Sequence, residues 1–132
     1  MILVPSYVHF KEGKEKELYQ EFQQIQPKLQ CLIEEMAFYV HNKGHKFIIT
    51  DLLSDAFEDA RLGRVSTSHS EGRAVDIRTR DFPREFIKEF ERYFENKYGH
   101  MGAVSKKTGK PNLVYWHDNG HGEHFHVQIK RG

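Results

Sequence analysis

Two histidines late in the chain have the spacing of metal ligands. His124 and His126 lie two residues apart in a segment whose alternating apolar residues predict a β-strand, so both imidazoles project from one face. Far upstream, His69 lies seven residues before Asp76, and these side chains can converge if Gly72 permits a tight turn between them. Two imidazoles and one carboxylate form a ligand set suited to Zn²⁺, and three protein ligands leave a fourth position open for catalysis.

A carboxylate close to these candidate ligands predicts the reaction class. Glu123 lies three residues before His126, and an ionised carboxylate beside a metal-activated water can act as its general base. The predicted reaction is therefore zinc-assisted hydrolysis of an amide. His124 is the alternative base, because a neutral imidazole can accept the same proton. Taken alone, His69 and Asp76 also fit a hydrogen-bonded loop histidine and a turn-capping carboxylate, and only their combination with the later motif favours a metal.

The residues around these positions form two motifs. The first is Thr67-Ser68-His69-Ser70-Glu71-Gly72-Arg73-Ala74-Val75-Asp76, which resembles the S-x-H-x-x-G-x-A-x-D signature of the zinc D-alanyl-D-alanine peptidases. The second is Glu123-His124-Phe125-His126, which resembles the closing E-x-x-H motif of the same family. The family includes bacterial carboxypeptidases and dipeptidases, and phage endolysins that cut between L-alanine and D-glutamate. Its fold is similar to that of the hedgehog N-terminal domain.

The resemblance implies a role for each matched residue. Zinc would be held by His69, Asp76 and His126, with Glu123 as the general base. His124 would assist from beside the metal or stabilise the transition state, as the first histidine of such a pair does in related peptidoglycan metallopeptidases. The implied activity is hydrolysis of an amide bond in peptidoglycan stem peptides. The enzyme would be a D-alanyl-D-alanine carboxypeptidase or an L-alanyl-D-glutamate endopeptidase, the latter as a phage or prophage endolysin.

The chain departs from the family pattern at an arginine position. Thr67 replaces the usual serine and keeps its hydroxyl, but residues 49–54 lack the arginine that the resemblance implies for stabilising the oxyanion. Arg61 and Arg64 are candidates to supply this charge, which typically lowers the barrier by about 3 kcal/mol, and we assign the role to Arg64. Two alternatives stay open. One is a non-enzymatic zinc-binding module of the same fold for structure or protein interaction, and the other is a hydrolase of a different amide or ester.

The elements that must position these residues follow from hydrophobic spacing. Apolar residues predict two helices, or one helix kinked at Pro27, over residues 18–40. Residues 46–50 and 74–78 are predicted strands, and residues 53–72 between them form a long irregular segment of the kind that often carries function. Asp81 and Pro83 then open a helix that ends near Gly99.

The last third of the chain completes the predicted sheet. Residues 100–111 are a predicted solvated loop, residues 113–116 a strand, residues 118–120 a turn and residues 124–130 a final strand. In that strand, two sets of side chains face opposite ways: Phe125, Val127 and Ile129 on one side, and His124, His126 and Gln128 on the other. The predicted fold class is α+β, a small antiparallel sheet with helices packed on one side. The resemblance makes it hedgehog/DD-peptidase-like.

The remaining chemically active side chains are assigned to ordinary roles. The histidines predicted at surfaces or helix ends are His9, His41, His45 and His100, and those predicted in a polar loop near the site are His117 and His121. Cys31 falls within an apolar helical series, which predicts a core position. Tyr115 and Trp116 are predicted core residues as well, with packing of an aromatic ring on a substrate peptide as the alternative.

Composition limits the possible partners. A length of 132 residues fits one domain, here a zinc peptidase domain over residues 1–132. Twenty basic and nineteen acidic residues give a net charge of +1, so nucleic acid is not an expected partner. The apolar run at residues 1–4 is too short for a signal peptide or a spanning helix. We therefore expect a monomer without membrane insertion that is made in the cytoplasm. The resemblance to phage endolysins further implies release to its peptidoglycan peptide substrate through another protein's pore.

Overall fold

The chain folds into an α+β structure. The computed structural model describes residues 7–53, 71–105, 108–118 and 122–130. The helices in these ranges are α1 (Glu15–Phe22), α2 (Pro27–Asn42) and α3 (Arg84–Tyr98). The strands are β1 (Val8–Phe10), β2 (Phe47–Asp51), β3 (Ala74–Arg78), β4 (Ala103–Val104), β5 (Pro111–Asn112), β6 (Val114–Asp118) and β7 (Glu123–Gln128). The predicted site residues His69 and Arg64, together with Arg61, Thr67 and His121, lie outside the described residues.

Five strands form one sheet in the order β1-β2-β3-β7-β6. The β2–β3, β3–β7 and β7–β6 pairs are antiparallel, whereas β1 is parallel to β2. The sheet is therefore mixed, and the prediction of an antiparallel sheet is wrong at this edge. Parallel neighbours need a crossover of about a dozen residues or more, which α1 and α2 provide. The sequence does not predict β1, because three residues are too few to show a hydrophobic period.

The hydrophobic core covers one face of the sheet. Directly paired residues in neighbouring strands share a face, and the buried rows are Ile49–Ile77–Phe125 and Val75–Val127–Val114. Apolar residues of all three described helices join the same cluster. The Phe90 ring of α3, for example, stacks on the Phe125 ring with centroids 4.5 Å apart. Helix packing therefore leaves the opposite face of β3, β7 and β6 for polar side chains.

Helix α3 also fixes the beginning of β6. One carboxylate oxygen of Glu95, Oε1, accepts hydrogen bonds from the backbone N–H groups of Leu113 and Val114, at 2.7 Å and 2.6 Å. Both of these residues are buried, and a buried amide needs a hydrogen-bond partner. The helix that the sequence predicts up to Gly99 therefore holds a strand as well as filling the core.

Two further expectations are wrong. Within the predicted loop of residues 100–111, β4 and β5 form a small hairpin, and Gly102 pairs with Ile129. A Cβ on Gly102 would lie 2.5 Å from the backbone of Asn112, so the absence of a side chain permits this contact.

Cys31 is exposed rather than in the core, because it is about 200° of helical rotation away from the buried Leu29. Among the described residues, no helix is long and apolar enough to cross a membrane.

Candidate functional site

The first sequence motif enters β3 through a glycine turn. Gly72 has a φ of 70°, and a Cβ at this position would lie 3.1 Å from Ile25 Cα, so both conformation and space favour glycine. The Gln26 N–H donates to the Gly72 carbonyl at 2.9 Å, and Arg73 Nη1 donates to the Ile129 carbonyl at 2.6 Å. The tight turn that the metal hypothesis requires is therefore present. It is held against both the start of α2 and the end of β7.

The face of the sheet away from the core carries two polar cross-strand rows. We call it the histidine face, and its rows are Asp76–His126–Tyr115 and Arg78–His124–His117. Alternation along each strand separates these side chains from the core residues between them. The sheet thereby places residues that are distant in sequence side by side. Tyr115 is half-buried on this face and not in the core as predicted, because it pairs with His126.

Asp76 and His126 are in direct contact at the centre of the histidine face. Asp76 Oδ1 lies 2.9 Å from His126 Nδ1, and the exposed fractions of their side chains are 12% and 19%. A largely buried carboxylate is costly without a cation or hydrogen-bond donors. These two predicted metal ligands, fifty residues apart, are therefore brought together by the β3–β7 pairing.

The second ring nitrogen of His126 also faces an acceptor. His126 Nε2 lies 2.9 Å from Gln128 Oε1. Carboxylate and carboxamide oxygens only accept hydrogen bonds, and a neutral imidazole has a single N–H. A neutral His126 can therefore satisfy one of the two contacts. With this orientation of the carboxamide, the other contact requires a second proton, on the ring or on Asp76, or a metal ion in place of the Nδ1 proton.

His124 and His117 form an imidazole pair next to this contact. Their ring centroids are 4.4 Å apart, and the His117 ring is 6.5 Å from that of His126. His124 Nδ1–H donates to the Gly122 carbonyl at 3.1 Å, so the Nε2 of neutral His124 carries the lone pair. His117 was expected in a loop, but β6 extends two residues beyond the predicted strand and places it opposite His124. The polar alternation of Tyr115 and His117 was the signal for this extension.

Glu123 occupies the first position of β7. It is half-buried, pairs with Asp118 and follows Gly122, which has a φ of 104°. Strict alternation assigns Glu123 to the side of Phe125, while His124 shares the side of His126. The described contacts do not include one between Glu123 and the Asp76–His126 pair. Both predicted bases therefore lie at the same end of β7, on opposite sides of the strand.

Arg78 is a charged member of the histidine face that the sequence reasoning missed. It lies two residues after Asp76, directly opposite His124, and its Nη2 donates to Glu12 Oε2 at 3.2 Å. The Glu12 backbone N–H and the Arg78 guanidinium lower the pKa of the Glu12 carboxyl below its ordinary value. The alternation of residues 74–78 could have revealed this position, because it puts Arg78 on the same side as Asp76.

The donor chemistry of Asp76 and His126 fits zinc. One carboxylate oxygen and one imidazole nitrogen are common zinc ligands, and two ligands of a tetrahedral ion lie about 3.3 Å apart, close to the observed 2.9 Å. Within the described ranges, no group of three or more histidine, cysteine, aspartate or glutamate side chains is arranged to hold a metal. The described residues thus supply two of the three predicted ligands, and the third, His69, lies outside them.

Comparisons with known proteins give no independent assignment. No protein-family model matches the chain, and neither a curated protein nor a solved structure matches it significantly. Functional reasoning therefore depends on the two sequence motifs and on the geometry of the histidine face.

Proposed function

We propose that this protein is a zinc metallopeptidase that hydrolyses an amide bond in peptidoglycan stem peptides. The observation that carries the proposal is the contact between Asp76 and His126. The buried carboxylate faces Nδ1 of an imidazole whose Nε2 already faces a second acceptor, and a metal ion in place of the Nδ1 proton would satisfy both contacts. The substrate class is supported by the resemblance of both motifs to the zinc D-alanyl-D-alanine peptidases.

Asp76, His126 and His69 would hold the ion. A bound zinc ion would polarise the scissile carbonyl and make a water molecule acidic enough to lose its proton near neutral pH. Gln128 orients the His126 ring through its contact with Nε2. The sheet fixes the relative positions of Asp76 and His126, because these residues lie on adjacent strands in its interior.

Residues at the start of β7 would carry out the proton transfers. The resemblance assigns the role of general base and then general acid to Glu123, which would accept the proton of the attacking water and return it to the leaving amine. Alternation puts Glu123 on the opposite side of β7 from His126, so this role requires its carboxylate to reach the metal from the end of the strand. His124 would act through Nε2, the nitrogen that does not donate to Gly122. With Nε2 protonated, the ring would donate to the negative charge that develops on the carbonyl oxygen, and with Nε2 unprotonated it would replace Glu123 as the base. Arg64 stays the proposed arginine for the oxyanion.

Digestion of purified peptidoglycan tests the proposal. The zinc-loaded protein is expected to release peptides whose masses identify either L-alanyl-D-glutamate or D-alanyl-D-alanine cleavage, and chelation of zinc is expected to abolish the products. His126→Ala should be inactive under the same conditions, while Gln24→Met, an exposed change on the segment after α1, should behave as wild type. Absence of any product from the zinc-loaded wild type would refute the peptidase.

One observation favours a second candidate function, a zinc-binding module without catalysis. Residues 49–54 have no arginine, and Arg78, the guanidinium that the described part of the histidine face provides, is engaged by Glu12. Zinc binding without peptide products in the digestion would support this alternative.

A further inference from the structure

Gln128 is the third polar residue of β7 on the side of His126. It is two residues after His126 and pairs with Ala74 of β3, whose methyl side chain leaves space above the sheet for the longer glutamine. Its backbone N–H donates to the Leu113 carbonyl at 3.0 Å. The Gln128 backbone is therefore fixed between two strands, and its carboxamide reaches His126 Nε2 at 2.9 Å.

The Gln128 contact stabilises the form of neutral His126 that carries its single proton on Nε2. A carboxamide oxygen accepts only, so its contact with Nε2 requires a proton on that nitrogen. Asp76 Oδ1 competes for the proton from the other side of the ring, at Nδ1. The charged carboxylate is the stronger acceptor, so the Gln128 oxygen lowers the cost of keeping the proton on Nε2 when a metal ion takes the place of the Nδ1 proton.

We propose that Gln128 is a positioning residue that accepts the Nε2–H of His126 and thereby favours the ring form whose Nδ1 lone pair binds the metal beside Asp76. The inference rests on the proposed function, because it assumes that Asp76 and His126 bind zinc. It adds a residue outside both sequence motifs. Histidine ligands commonly donate their second N–H to such an acceptor, which fixes the ring orientation and makes the ligating nitrogen more basic.

Zinc affinity measures this role without any reference to peptidase activity. Zinc is titrated into the full chain in competition with a chromogenic chelator, for wild type, Gln128→Met and Gln128→Glu. Methionine keeps the length of the side chain and removes the acceptor, so a loss of about 10- to 100-fold in zinc affinity is expected. Glutamate keeps an acceptor at the same reach, so affinity at least equal to that of wild type is expected. Gln24→Met is the matched control for the substitution itself, and its affinity should be unchanged.

The outcomes separate this inference from the proposed function. If wild type binds no zinc, the proposed function fails and the role of Gln128 fails with it. If wild type binds zinc and Gln128→Met binds it equally well, only the role of Gln128 is refuted. If Gln128→Met does not fold, as judged by circular dichroism, Gln128→Glu decides, because a loss of 10-fold or more in that variant contradicts an acceptor role. In the zinc-bound wild type, NMR of the His126 ring should show the proton on Nε2, and a proton on Nδ1 would overturn the inference.

Discussion

Replacing Glu95 tests whether helix α3 positions the strand that carries Tyr115 and His117. In Glu95→Ala, the buried N–H groups of Leu113 and Val114 lose their common acceptor. Each unsatisfied buried donor costs about 1–3 kcal/mol, so the two together should lower the free energy of unfolding by about 2–6 kcal/mol. Glu95→Gln keeps an acceptor oxygen and loses only the charge, and since a charged acceptor makes a hydrogen bond about twice as strong as a neutral one, its loss should be clearly smaller.

Urea denaturation followed by circular dichroism gives the required free energies for the metal-free protein. Lys88→Ala is the matched control, since Lys88 is exposed on the same helix and the change introduces the same helix-favouring alanine. Such a surface substitution should stay within about 0.5 kcal/mol of wild type. If Glu95→Ala falls within the same range as Lys88→Ala, the anchoring of β6 by α3 is refuted. Equal losses for the alanine and glutamine variants would show that charge, rather than the presence of an acceptor, makes the contribution.

The remaining predictions concern the base and an ionisable side chain outside the site. Glu123→Gln should lower kcat for peptide hydrolysis by about 10²- to 10⁴-fold while zinc content stays unchanged. His124→Gln should lower kcat by a smaller factor. Full activity of Glu123→Gln would transfer the base role to His124. Burial, followed by the Glu89 contact, raises the pKa of Tyr39 to about 12. The folded state therefore favours the protonated phenol, and its stabilising contribution is complete below pH 10 and is lost as the pH rises through about 12. The tyrosinate absorbance that Tyr39→Phe removes should appear near pH 12, and its appearance near pH 10 would contradict the structure.

The elements with strong local patterns could be predicted from the sequence. The strand at residues 74–78 coincides with β3, Pro27 separates two helices, and the helix predicted to end near Gly99 is α3. In each case, the hydrophobic spacing agrees with the turn and capping residues at its ends. The histidines of β7 could be assigned to one side for the same reason, because alternation is a local property of a strand.

The parts that depend on distant contacts could not be predicted. Strand β1 exists through its parallel pairing with β2, and the pairing of Gly102 with Ile129 joins distant segments. Arg78 and His117 reach the histidine face through the register of β3, β7 and β6. Single-sequence patterns do not contain that register. The two sequence motifs predicted the convergence of Asp76 and His126, whereas the Gln128 contact emerged only from the folded geometry.

The position of β7 in the sheet determines when the site can form during synthesis. β7 is later in the chain than its neighbours β3 and β6, yet it lies between them. The Asp76–His126 contact joins β7 to β3, and the His117–His124 pair joins β7 to β6. Because chains are synthesised from the N-terminus, neither pair can exist until β7 has left the ribosome and inserted. A nascent chain that has reached only residue 118 therefore holds Asp76 without its imidazole partner, and the Asp76–His126 contact forms in one step with the closing of the sheet.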